Sequence, residues 1–138
     1  MAWNEFIPAS EITEKVTRAT VTFAEKFGRY LGTDERGVAN KLTTSQLRKF
    51  FGEVKRQQMN GYDETEFVLL KPKLAYAVAR ANINKRKDTM NKIDDFYKVI
   101  IAAIDIVIDC PNKDQAFKNF IQIFEAIVEY HKAVEEQK

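Results

Sequence analysis

The longest apolar run, VIIAAIDIVI at residues 99–108, constrains the fold class more than any other stretch. Isoleucine and valine favour strands where they alternate with polar residues. Here they do not alternate. Apolar side chains recur at i, i+3, i+4 and i+7, and the pattern extends back through Ile100, Tyr97 and Phe96 to Ile93. That period belongs to a helix, expected over about residues 89–109 and stopped by Pro111. Asp105 interrupts the run, which is too short to cross a membrane, since a span needs about 18 apolar residues.

The rest of the chain follows the same period. A first helix is expected from about Glu11 to Tyr30, capped by Ser10, with Val16, Thr20, Phe23, Phe27 and Leu31 as its buried stripe and Gly32 as its stop. Residues 32–42 read as a loop. A second helix starts after Thr44, with Leu47, Phe50, Phe51 and Val54 inward. NGYDE at 60–64 lacks flanking alternation and reads as a helix-to-helix turn. A third helix lies within 64–87, with Phe67, Leu70, Leu74, Ala77, Val78 and Ala81 on one face. Pro72 either begins it or bends it, because proline cannot donate within a helix. Asn112 and Gln115 form a capping box for a last helix that buries Phe117, Phe120, Ile121, Phe124, Ile127, Val128 and Val134. The expectation is an all-α bundle of five to six mostly antiparallel helices, one domain over residues 1–138.

Catalytic chemistry finds little to work with. The lone histidine, His131, has no second histidine to share a metal and reads as a surface or edge residue. The pair Asp94–Asp95 points in directions about 100° apart and reads as a solvated helix side. Cys110, the only cysteine, permits no internal disulfide and reads as a small core residue. There is no glycine-rich phosphate loop, and no cofactor or metal site is expected. The start MAWNEFIPASE lacks the layout of a signal peptide, so the expected compartment is the cytoplasm.

Charge is more informative. The net charge is only +2, so polyanion binding would require local clustering. On the second helix Arg48, Lys49, Lys55 and Arg56 occupy one sector around Gly52, beside the core face. Arg48 and Lys49 stand in the first turns, where the helix end is already partly positive and cations are least favoured. On the third helix Lys73, Arg80 and Lys87 recur every seven residues. Such clusters suit an anionic partner, with phosphate the natural candidate and backbone contact the expected mode. Of the aromatic residues, only Tyr62 and Tyr76 stand outside the expected core.

Two blocks, LTTSQLRKFFGEV and LLKPKLAYAVARAN, followed by an apolar helix and FIQIFEAIVEYHK, resemble the small helical subunit of the type III-A (Csm) CRISPR effector complex, over roughly residues 40–134. The matching residues are Thr43, Thr44, Ser45, Gln46, Leu47 and Arg48, then Ala79 and Arg80, with Ala79 where glycine is common and Pro72 within the second block. The resemblance implies a non-catalytic subunit that binds guide and target RNA without sequence preference and serves antiviral defence. It also implies partners in the other effector subunits and in further copies of itself. It implies RNA contact by Arg48, Lys49 and Arg80; Lys55, Arg56, Lys73 and Lys87 rest on helical position alone. A stand-alone helical adaptor without RNA affinity, or a small enzyme using His131, are the other classes the residues leave open.

Overall fold

The structure, a computed structural model, describes residues 3, 7, 9–34, 40–83 and 91–136. Among these it forms no strand and seven helical segments: α1 (Ala9–Thr13), α2 (Arg18–Leu31), α3 (Thr44–Asn60), α4 (Glu64–Val68), α5 (Leu70–Ala81), α6 (Lys92–Asp109) and α7 (Lys113–Glu136). The all-α reading therefore holds. No helix among the described residues is long and apolar enough to cross a membrane.

The expected first helix is two. It breaks after Thr13 and restarts at Arg18, where Thr17 is extended and its N–H donates to Thr20 Oγ1 at 3.0 Å. The apolar stripe hid this break, because Ile12 and Thr20 are both buried on either side of it with Val16 half-buried between. The third helix is also two, α4 and α5, and Pro72 is the third residue of α5. In that first turn a backbone N–H has no partner within the helix, so proline is tolerated there. Asn112 Oδ1 accepts from the Gln115 N–H at 3.3 Å, as a cap should, but the Gln115 side chain turns instead to Asn119.

The core is aromatic. Phe50, Phe96, Phe120 and Phe124 pack edge-on or stacked, with centroids 5.5–6.0 Å apart, and Phe67 joins them through Phe120 at 5.2 Å. A second cluster sets Trp3 against Phe23, Phe27 and Tyr30 on α2. Cys110 is buried in the apolar core, as expected.

Most neighbouring helices are antiparallel. Phe51 of α3 meets Phe124, while Leu47 and Arg48, earlier in α3, lie beside His131, later in α7. Lys71 reaches Asp105 and Asn82 reaches Asp94, so α5 opposes α6. The largest contact departs from this pattern: α2 runs parallel to α7, its most extensive neighbour. Gly28 lies against Ile127 and Tyr130, and Gly32 against His131. Five long helices that alternate in direction leave the first and last pointing the same way, so packing them together makes a parallel seam.

That seam is tight. A Cβ at Gly28 would sit 2.7 Å from the Ile127 carbonyl oxygen and 2.8 Å from Tyr130 Cβ. Gly52, exposed within α3, would meet nothing within 4 Å. The two glycines should therefore respond oppositely to alanine. Gly28→Ala should lose about 1–3 kcal/mol through overpacking, whereas Gly52→Ala should gain up to about 1 kcal/mol from helix propensity. Denaturant midpoints of the two variants check this; equal shifts would mean that the seam has room to spare.

Candidate nucleic-acid interface

The Thr-Thr-Ser-Gln block has a local structural role. Thr43 Oγ1 accepts from the Gln46 N–H at 3.1 Å, and Gln46 Oε1 accepts from the Thr43 N–H at 2.9 Å. This is a reciprocal capping box. The cap is thus Thr43, one residue before the expected Thr44. From this start Leu47, Phe50 and Val54 face the core. Gln57 is buried with them and donates to the Glu66 carbonyl at 3.1 Å, which ties α3 to α4.

Between α3 and α5 lies an open groove of about 470 Å³. Lys49 and Glu53 enter it from α3, and Lys73, Tyr76 and Arg80 from α5; Phe50 and Ala77 supply apolar lining. Glu53 organises one end. Its carboxylate takes two bonds from Arg56, at 2.8 and 3.1 Å, and one from Lys73 at 2.9 Å. Those bonds, Arg56 first and then Lys73, hold the Glu53 carboxyl down at about 2. Arg56 is bound a second time by Glu66 at 3.2 Å, and these two carboxylates push its guanidinium pKa still further above the ordinary value. At the other end Lys49 and Arg80 have no carboxylate partner among the described residues. Arg80 instead approaches the Tyr76 ring, 5.8 Å from its centroid.

The expected basic sector of the second helix is thereby divided. Lys49, Lys73 and Arg80 share the groove. Arg48 and Lys55 turn to the opposite side, toward α7, where Lys55 pairs with Glu125 at 3.3 Å and Arg48 lies beside Val128 and Lys132. The sector is not free of acids either, because Glu66 and Glu125 come to it from other elements. Lys87 lies outside the described residues.

Other expectations need correction. His131 is fully buried, 0% exposed, and its Nε2–H donates to the Leu42 carbonyl at 2.6 Å. Asp94 and Asp95 are half-buried and engaged, by the Asn82 amide and the Tyr30 hydroxyl. Tyr62 packs on Phe67 and Phe117, so Tyr76 alone of the two candidate platforms stands open, at 64% exposed. Among the described residues no cluster of His, Cys, Asp or Glu is arranged to hold a metal. Lys92, 2% exposed, carries no signal in the local sequence; it donates to the Tyr30 and Thr33 carbonyls at the end of α2.

A family model described as Csm2 Type III-A matches residues 14–137. The chain belongs to the Csm2 type III-A family. It is therefore a small subunit of a type III-A CRISPR effector complex, from a family of structural, non-catalytic subunits. The match carries the resemblance of residues 40–134 back across α2. No curated protein and no solved structure gives a match.

Glu53 generates a pH prediction. At neutral pH its ionised form is stabilised in the folded chain by Arg56 and Lys73. Below the ordinary value of 4.5 the unfolded chain takes up a proton that the folded chain resists until about 2. The contribution is thus fully present above 4.5 and lost on descent to about 2. The stability gap between wild type and Glu53→Gln should shrink across this window when denaturation midpoints are followed against pH. A gap that widens toward low pH would contradict the assigned ion pairs.

Proposed function

We propose that this subunit holds RNA by its phosphate backbone in the groove between α3 and α5. The observation that carries this reading is the pair Lys49 and Arg80, which enter one groove from two helices with no carboxylate partner among the described residues. A cation without a carboxylate partner breaks no ion pair when it meets a phosphate. Lys73 and Arg56 must first loosen from Glu53, and Lys55 from Glu125, so these three are secondary contacts. Arg48, also without a carboxylate partner among the described residues, continues the positive surface around α3 toward α7.

In the effector complex, copies of the subunit stack along the backbone subunits and present this surface to guide and target RNA. The subunit retains RNA and cleaves nothing; target cleavage belongs to other subunits of this antiviral assembly. Binding is indifferent to sequence, because phosphate contacts position a strand without reading its bases. The alternative, a stand-alone adaptor without RNA affinity, has no use for unpaired cations in a groove.

Salt dependence tests the reading. Each phosphate neutralised on a single strand contributes about −0.7 to the slope of log affinity against log salt. Lys49→Ala with Arg80→Ala should flatten the slope by about 1.4 with no change in fold, since both side chains are exposed. Lys55→Ala should flatten it less. Equal slopes for wild type and the double variant would show these cations to be merely solvated, and no binding at low salt would favour the adaptor.

A further inference from the structure

The groove holds one group that phosphate binding does not use. Tyr76 is 64% exposed, and among the described residues no aromatic ring packs on it. It lies between the two α5 cations: Lys73, Tyr76 and Arg80 are spaced i, i+3 and i+7, which puts them on one helix face. Lys73 and Arg80 are about 10 Å apart along the axis, seven residues at about 1.5 Å each. The order along α5 is cation, ring, cation. A nucleic-acid strand presents the same order, phosphate, base, phosphate.

We propose that the groove seats an unpaired nucleotide, with its base stacked on Tyr76 and its flanking phosphates held by Lys73 and by Arg80 with Lys49. The proposal rests on the backbone-binding reading above and deepens it, because it selects single-stranded RNA over duplex. A groove of about 470 Å³ is of the size that takes small ligands, about 300–1,000 Å³. The apolar Phe50 and Ala77 beside the ring suit a base. Arg80 and Lys49 suit a phosphate at one end, and at the other Lys73 takes one on loosening from Glu53. In a duplex each base is already stacked and paired, and an RNA helix offers mainly phosphates and hydroxyls to a protein surface. Stacking on an aromatic ring tolerates any base, since every base has a π-face, so sequence indifference is preserved. Arg80 beside the ring adds its own attraction to an aromatic base.

The test uses a short unstructured RNA and a blunt RNA duplex of equal length, both labelled, with the full chain and its Tyr76→Leu and Tyr76→Phe variants. Stacking of one base is lost in Tyr76→Leu, so its affinity for the single strand should fall about 5- to 150-fold, with the salt slope and the duplex affinity unchanged. Tyr76→Phe keeps a ring and should bind the single strand as the wild type does. Full single-strand affinity in Tyr76→Leu with a normal salt slope would overturn the stacking proposal and leave the backbone reading standing. Equal losses on single strand and duplex would also overturn it, by making Tyr76 a general part of the surface. Failure of the backbone reading is seen separately, as a slope that Lys49→Ala with Arg80→Ala does not move.

Discussion

The parallel seam between α2 and α7 holds the corner on which the groove depends. Gly28 and Gly32, four residues apart, let the two helices approach to backbone contact. His131 fills the space beside Gly32 and donates to the Leu42 carbonyl, while the Leu42 N–H donates to the Leu31 carbonyl at 2.8 Å. Leu42 is thus clamped from two sides, one residue before the Thr43 cap that starts α3. A histidine with no second histidine in the chain, expected from the sequence at the surface or an edge, is buried and gains a positioning role. It helps set where α3 begins and hence where Lys49 points.

The other wall of the groove is anchored at the same corner. The Lys92 ammonium caps the carbonyls of Tyr30, in the last turn of α2, and of Thr33 just after it, and its own backbone N–H donates to the Asn40 carbonyl at 2.9 Å. A cation at a helix C-terminus is favoured, and it can be buried because its donors are satisfied. Asn91 and Asp94 then bind Ala81 and Asn82, which fixes the end of α5 and with it Arg80. The two groove cations without carboxylate partners are therefore held by two linked sets of polar contacts, both rooted at the end of α2.

Electrostatics divides what clustering had joined. Glu53 and Glu66 neutralise one end of the groove and Glu125 neutralises Lys55, so positive charge is left where no acid reaches. The distinction between Arg56 and Lys49 is one of neighbours in space. Arg56 is held by a carboxylate one turn away and by another ten residues on, whereas Lys49 looks across the groove at Arg80.

Helical period and most of the core were legible in the sequence, because they depend on residues three or four apart; caps were less so, since Ser10 lies within α1 and α3 is capped by Thr43. The apolar faces of α3, α5, α6 and α7, the stop at Pro111 and the burial of Cys110 follow from local spacing, while the family resemblance rests on the residues of two blocks. What local spacing cannot carry is the identity of a residue's partner on another helix. Whether Lys55 meets Glu125 or Asp95 meets Tyr30 depends on how helices are laid side by side, over separations of 70 and 65 residues. The same reason hid the break in the first helix, since an apolar stripe continues across a bend when both halves pack on one core. The sequence by itself determined that this chain is a set of amphipathic helices with cations beside two of their core faces. Only the tertiary structure decided which cations meet in one groove and which are neutralised, because the range of an ion pair is a few ångströms in space and has no fixed length along the chain.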